Sequence, residues 1–418
     1  MLDAGLIADS PATSMPGLIE PSDNLSEVLN ALAKKGFGVW VVGGAVRDAI
    51  LGINPHEFDL TTNARPDEVM DIFEDHIPTG EKFGTITVRS GEEFFEVTTL
   101  RTEGSYGDGR RPDEVEWGDS LTIDLSRRDF TMNAMAFDVA RELLHDPFDG
   151  RNDLDRGVLR AVGEASRRLS EDGLRIMRAY RFMDRGSAGI WMPDHELSAA
   201  LLDCKHMLSH VSVERIWQEL TRIIIGENAS SVLLKMTNDG IIQRILGCDP
   251  SPDEFEWIMA CDSDLEVRLA ILMNSMSSNE VEDSLRSLKA PKKVIKRSKH
   301  LHFLLENTPH PDESRIYRAV VSDEVKAHAM MIRARGWDPS VIESSISLPA
   351  EVKCIVDGDW ICERTALIPG KKLGRLKDWL HRIQIERNIK TKDEMERVLC
   401  TLSWQHGDED EWPRVEWP

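Results

Sequence analysis

Val41-Val-Gly-Gly-Ala-Val-Arg-Asp48 reads as a strand that runs into two glycines and then into a helix carrying Arg47 in its first turns. Glycine lets a backbone approach a bound group closely, and a helix N-terminus with an arginine beside it favours phosphate. A plain strand-to-helix turn uses the same residues, so the stretch speaks to fold first. Around it, short apolar runs broken by glycine and polar turns predict strands over Gly38–Val42, Thr85–Arg89 and Glu93–Leu100. Helices are predicted over Leu25–Lys35 after Asn24, over Val46–Leu51, and over Pro66–Glu74, which opens on proline. From Phe37 to Asp138 the pattern is thus that of an α/β or α+β domain. After Leu154 it turns almost wholly helical, with Ser170 and Ser212 as expected N-caps and prolines dividing the blocks. Asp408-Glu-Asp-Glu411 and Trp412–Pro418 read as a solvated acidic tail.

Composition narrows the classes. The chain has 418 residues, 51 Lys+Arg against 73 Asp+Glu, and a formal net charge of −22. That length predicts two to four domains. No apolar run approaches the ~18 residues of a spanning helix. The N-terminus carries acid where a secretory leader would be basic. Six cysteines, none in a CxxC pair, argue against a zinc ribbon or a disulfide framework and for a reducing cytoplasm. Net acidity excludes a nonspecific nucleic-acid coat, although local basic surfaces can still meet phosphate.

Chemistry-bearing residues cluster in three further places. In His56-Glu-Phe-Asp-Leu-Thr-Thr62 a strand would set Glu57 and Asp59 on one face. Two carboxylates that close repel unless a cation lies between them, and oxygen ligands suit Mg²⁺. Glu96 is a candidate third carboxylate; a wet strand face carries the same pattern. Arg127-Arg-Asp-Phe-Thr-Met-Asn-Ala-Met-Ala136 puts two cations and an acid ahead of a helix-like apolar run. Glu171-Asp-Gly-Leu-Arg-Ile-Met-Arg-Ala-Tyr-Arg181 is expected to open another helix, bringing Asp172 and Arg175 together and aligning Arg175, Arg178 and Arg181 in a slowly drifting strip. Such a strip needs anions, supplied either by the protein's own acids or by a polyphosphate.

Taken jointly, Val42-Gly-Gly-Ala-Val-Arg-Asp48, Glu57-Phe-Asp59, Arg127-Arg-Asp-Phe-Thr-Met-Asn-Ala134 and Glu171-Asp-Gly-Leu-Arg175 resemble the class II tRNA nucleotidyltransferases, the CCA-adding enzymes, a family that includes bacterial poly(A) polymerases. The resemblance is strong from about Phe37 to Arg181. It continues more weakly through Ser212-Val-Glu-Arg-Ile-Trp-Gln-Glu-Leu220 and returns at Val356-Asp-Gly-Asp359, Pro369-Gly-Lys-Lys-Leu-Gly374 and Asn388-Ile-Lys-Thr-Lys-Asp-Glu394. It implies an α+β fold: a polymerase-β-like nucleotidyltransferase head followed by all-helical neck, body and tail domains. The expected bounds are an N-terminal extension 1–23, head 24–153, neck 154–225, body 226–345, tail 346–404 and acidic C-terminal tail 405–418.

By motif match, Gly44 and Arg47 bind phosphates while Gly43 shapes the turn. Glu57 and Asp59 hold one or two Mg²⁺ ions, with Glu96 as the third carboxylate. Arg128 and Asp129 read the sugar and phosphates, Asp172 and Arg175 face the incoming base, and Arg178 and Arg181 complete the nucleotide pocket. Gly104–Arg111 resembles the family's flexible loop. The implied reaction is attack of an RNA 3′-hydroxyl on the α-phosphorus of CTP or ATP, adding C, C and A to the 3′ end and acceptor stem of tRNA. For RNA contact, Lys289, Lys292, Lys293, Lys296, Arg297 and Lys299 form the densest basic run; Lys371, Lys372, Arg375 and Lys377 form a second. A solvated helix face explains each equally well.

One departure stands out: the family usually has Asp-x-Asp where this chain has Glu57-Phe-Asp59. The extra methylene shifts a carboxylate by up to ~1.5 Å, one C–C bond. Alternatives remain a poly(A) polymerase, an enzyme adding only C or only A, and a non-catalytic tRNA-binding protein. His145-Asp146 lies in a connector and is not read as a phosphohydrolase HD site.

Overall fold

The computed structural model describes residues 5–102 and 116–418, so the Gly104–Arg111 loop lies outside the described residues. The chain forms two compact units, Met1–Asn228 and Ala229–Pro418, each with its own core.

The first unit is built on an eight-stranded sheet. Its strands are β1 (Ala12–Ser14), β2 (Val39–Val42), β3 (Asp59–Thr62), β4 (His76–Gly80), β5 (Thr85–Ser90), β6 (Glu93–Thr99), β7 (Ala136–Asp138) and β8 (Leu143–His145). They lie in the order β1-β8-β7-β2-β3-β6-β5-β4. Only β3 and β6 run parallel, pairing Asp59 with Glu96; the other neighbours are antiparallel. The apolar run of β2 is buried, and its Trp40 and Val42 pack with Leu100, Leu121, Leu125 and Ala136. The N-terminal extension is not separate from this sheet: β1 pairs with β8 and forms its edge. His145 is likewise structural, buried in β8 with its ring Nδ1 3.2 Å from the Ser10 carbonyl. Asp146 accepts the amides of Gly150 and Arg151.

Several local expectations are corrected. Ser22, not Asn24, caps the helix Asp23–Lys34, taking the Leu25 amide. β3 begins at Asp59, so Glu57 sits in the preceding loop and the two carboxylates do not alternate along one strand. The run after Asp129 is a 3₁₀ turn, Thr131–Asn133, and then β7, rather than a helix. Ser170 lies inside the helix Ala165–Glu171, where its hydroxyl donates to the Ser166 carbonyl. The break falls at Asp172-Gly173, and the next helix is Leu174–Met183. Gly173 is required there: a Cβ would lie 2.5 Å from the Met207 carbonyl oxygen. The otherwise helical stretch beyond also holds a two-stranded ribbon, Val158–Leu159 with Met192–Pro193.

All regular elements among the described residues of the second unit are helices. The helix Lys292–Glu306 buries Ile295, Leu301, Leu304 and Leu305 and packs on Leu265–Leu272 and Ser278–Ser287. Towards the C-terminus, Gly358–Thr365, Lys371–Arg387 and Lys392–Thr401 enclose Trp360, Ile361, Leu376, Leu380 and Met395. Trp412 belongs to that same core and Trp417 is buried too, so the C-terminal segment is docked rather than solvated. An acidic stretch reads as solvated by charge alone; two tryptophans within seven residues outweigh it, because each buries a large apolar surface.

Candidate active site

The two glycines after β2 do what their sequence suggests. Gly43 adopts φ 70°, and a Cβ there would come within 3.2 Å of the Arg128 guanidinium; Gly44 starts the helix Gly44–Ile50. This turn forms one wall of a groove of about 580 Å³ within the first unit. Glu57, Asp59, Arg128 and Asp129 line it too, together with Asp172, Arg175, Arg178, Arg181 and Arg47. Eleven of the twelve residues expected to touch nucleotide or metal therefore meet in one place. Glu96 is the exception. It is in register with Asp59 on the neighbouring strand but does not line the groove.

The arginines are held by acids. Arg178 Nε donates to Asp129 at 2.7 Å, Arg175 to Glu171 at 2.7 Å, and Arg181 Nε to Glu219 at 2.5 Å. Arg127 and Arg128 both meet the buried Asp124. Arg47 donates to Asp48 and, at 2.9 Å, to Asn133. Phe182 lies under three of these cations, its ring centre 4.1 Å from the Arg181 guanidinium, 5.3 Å from Arg178 and 5.4 Å from Arg47. Burial by itself would raise the Asp129 carboxyl, but Arg178, Asn133 and the Phe130 amide outweigh it and hold it below the usual carboxylate range. The groove thus has a wall of arginines, each held by an acid; Arg215 and Arg222 also line it, paired with Asp172 and Glu219.

Asp172 and Arg175 are not paired with each other through their side chains. Asp172 accepts from Arg215 at 2.7 Å and from the Leu174 amide at 3.0 Å. Arg175 spends NH1 on Glu171 and the Arg168 carbonyl, and one NH2 proton on the Arg127 carbonyl. A guanidinium has five donors, so the Nε proton and one Nη2 proton are not used in these bonds. The result is a carboxylate acceptor and a guanidinium donor, each locked by its neighbours.

In the same groove, the protein strips water from Asp59 and raises its carboxyl; Arg128 opposes the shift and Glu57 adds to it. Glu96 is raised by desolvation, then by Asp59 and Glu57. Negative charge at the end of β3 is therefore under-compensated.

Residues 39–160 match the Poly A polymerase head domain, and residues 193–254 match a region described as "Probable RNA and SrmB- binding site of polymerase A". The CCA-adding enzyme of Geobacillus stearothermophilus is 32% identical over 393 residues, covering 90% of this chain and 95% of that one. The chain belongs to the CCA-adding enzyme family. A Listeria monocytogenes CCA-adding enzyme is 40% identical over 274 residues, 64% of this chain and 68% of its own. Among solved structures, the Bacillus stearothermophilus CCA-adding enzyme in complex with CTP superposes with a TM-score of 0.75 at 29% identity, over 90% of this chain and 95% of that one. The Thermotoga maritima CCA-adding enzyme complexed with tRNA shares the fold, with a TM-score of 0.68 at 18% identity over 93% and 98%.

The family's α+β architecture, a sheet-based head followed by helices, is the one described above. Arg215 and Glu219 had no assigned role in the sequence, yet they hold Asp172 and Arg181. The signal was present: both lie in Ser212–Leu220, four apart and hence on one face of the helix Val213–Ile224. Asn133 and Phe182 had none beyond their motif neighbours.

The basic runs divide on inspection. Lys292, Lys293 and Lys296 are exposed at the start of Lys292–Glu306. Arg297 is instead an internal strut, donating to Asp264, Glu266 and Glu324 at 2.7 to 3.1 Å. Lys299 is paired with Glu282 at 2.6 Å. Lys289 closes the preceding turn with φ 53°. Lys371 and Arg375 meet Asp410 of the C-terminal segment, and Lys372 lies over Trp412.

Proposed function

We propose that this member of the CCA-adding enzymes completes the 3′ end of tRNA, adding C, C and A from CTP and ATP and releasing pyrophosphate. The observation that carries the reading is the single groove in which the Gly43-Gly44 turn, the Glu57 and Asp59 carboxylates and the Asp172–Arg175 pair face one another.

The residues divide the work by charge. Arg47, Arg128 and Arg178 supply positive charge for the triphosphate, beside the amides of the Gly44–Ile50 helix start. Asp172 accepts from an exocyclic amine while the free donors of Arg175 meet ring nitrogen and carbonyl acceptors. Cytosine and adenine both carry that amine; guanine and uracil leave Asp172 facing a carbonyl, which is unfavourable. The 3′-hydroxyl attacks the α-phosphorus in line, forming one P–O bond as the bond to pyrophosphate breaks.

Glu57 and Asp59 are the residues to hold Mg²⁺. No group of three or more His, Cys, Asp or Glu side chains among the described residues is arranged around one point. Mg²⁺ sites of one or two carboxylates completed by substrate phosphates need no third, and the under-compensated charge at Asp59 fits that chemistry. When bound, the metal supplies charge stabilisation to the attacking and leaving oxygens. A cytoplasmic setting, where tRNA is the substrate and cysteines stay reduced, accords with six unpaired cysteines and with no helix among the described residues long and apolar enough to cross a membrane.

The test is incorporation on tRNA transcripts ending at the discriminator base, at C and at CC, given CTP, ATP or both with Mg²⁺. Three additions ending in A, and no more, are expected. A long A-tail would mean a poly(A) polymerase; extension of only one transcript, an enzyme adding C or A alone. No product with tRNA still bound would mean a non-catalytic binding protein.

A further inference from the structure

The C-terminal segment folds onto the helix Lys371–Arg387 and is pinned beyond its acidic stretch. Trp412 is buried with its ring 5.6 Å from Trp379, and Lys372 Nζ lies 5.8 Å from its centre. Beyond it, Arg382 donates to the carbonyls of Arg414 and Glu416, both at 3.0 Å, while Trp417 donates to Glu313 and stands edge-on to Tyr317. Before it, the Asp408 side chain accepts the Asp410 amide and turns the backbone. Asp410 is thereby set over the helix start: Lys371 Nζ donates to one carboxylate oxygen at 2.5 Å and Arg375 to the other at 3.3 Å.

Lys371 and Arg375, one turn apart on the same helix, are two cations that an RNA phosphate could pair with, and here a carboxylate of the same chain pairs with both. We propose that Asp410 is a tethered competitor for RNA phosphate at Lys371 and Arg375, so that tRNA binding at this face first displaces the C-terminal carboxylate. The inference rests on the reading of Lys371 and Lys372 as RNA contacts and adds to it the regulation of that contact. The exchange is local. Lys371 and Asp410 keep 60% and 47% of their side-chain surface exposed, and an exposed ion pair of this kind is weak. Trp412 is buried, so Asp410 can be swapped for phosphate while the segment stays anchored. A tethered carboxylate holds off stray anions and yields to an RNA whose other contacts are already made.

The experiment measures tRNA affinity of the full-length protein across a salt series for wild type, Asp410→Asn, and Lys371→Glu/Arg375→Glu. Asp410→Asn is expected to bind tRNA several-fold more tightly at low salt. Its slope of log K against log salt should steepen by about 0.7 per phosphate contact, because freed cations now release counterions on binding. Lys371→Glu/Arg375→Glu should weaken binding. If Asp410→Asn matches wild type while the double variant still weakens binding, the competitor is overturned and the RNA contact stands. If neither variant changes affinity, the RNA contact itself fails. Glu409→Gln removes one neighbouring charge but leaves the pairing of Asp410 with Lys371 and Arg375, and should tighten binding much less than Asp410→Asn; equal tightening would make the effect one of net charge and also overturns the proposal.

Discussion

Glu57 holds a carboxylate one methylene further from the backbone than the aspartate usual in its family, and it does so from a loop rather than from β3. A loop absorbs about one bond length of extra reach more readily than a strand, which fits the metal-holding role proposed for Glu57. Glu57→Asp should therefore retain turnover, whereas Glu57→Gln should lower kcat on the order of 100-fold with CTP binding little changed. Single-turnover incorporation alongside nucleotide titration separates the two. Asp129 gives a second residue-scale test. Its folded carboxyl sits below the unfolded value, so its pairing with Arg178 stabilises the protein above about pH 4 and is lost as pH falls through the folded value. Asp129→Asn leaves the partly buried Arg178 without its charge partner and should cost about 1–3 kcal/mol at neutral pH. Denaturation midpoints compared with wild type should converge as the pH is taken into the acid range.

At the scale of elements, the break between Ala165–Glu171 and Leu174–Met183 is what places Asp172 and Arg175, the pair proposed to face the base. Asp172 leaves the helix to accept the Leu174 amide and Arg215, and the chain can turn there only because residue 173 lacks a Cβ. Gly173→Ala forces a shift against the Met207 carbonyl and should cost about 1–3 kcal/mol, with KM for CTP and ATP rising together; chemical denaturation and steady-state kinetics would show both. The sequence made the Gly43-Gly44 strand-to-helix turn, the strands β2, β5 and β6 and the arginine strip legible, since each is a local pattern of apolar period, glycine or charge spacing. It left this helix break illegible. Ser170 before two acids looks like a cap, and only the distant Met207 carbonyl shows that the chain must turn three residues later. The partners of the arginines were equally hidden, because Asp124, Glu171 and Glu219 look like ordinary surface acids until the fold brings them to the groove wall. Charge alone also misled at the C-terminus, where the burial of Trp412 and Trp417 decides the outcome.

At the scale of the molecule, the chemistry-bearing side chains lie in the unit Met1–Asn228 and both basic runs lie in Ala229–Pro418. A chain with a net charge of −22 repels RNA at long range, so the few cations left unpaired must carry the electrostatic attraction. Arg297 and Lys299 cannot contribute much, being committed to Asp264, Glu324 and Glu282. Lys292 and Lys293, by contrast, sit exposed in the first turn of their helix, where no acid is paired with them among the described ion pairs and the backbone amides add to their field. Lys292→Glu/Lys293→Glu should therefore raise KM for tRNA and flatten the salt dependence of binding by roughly one to two units, while KM for CTP and single-turnover rate at saturating tRNA stay unchanged. Glu57→Gln should show the reverse pattern, normal tRNA affinity with lost turnover. Equal loss of both properties in the lysine variant would mean that this face governs the nucleotide groove as well, and unchanged tRNA affinity would remove it from the RNA-binding surface.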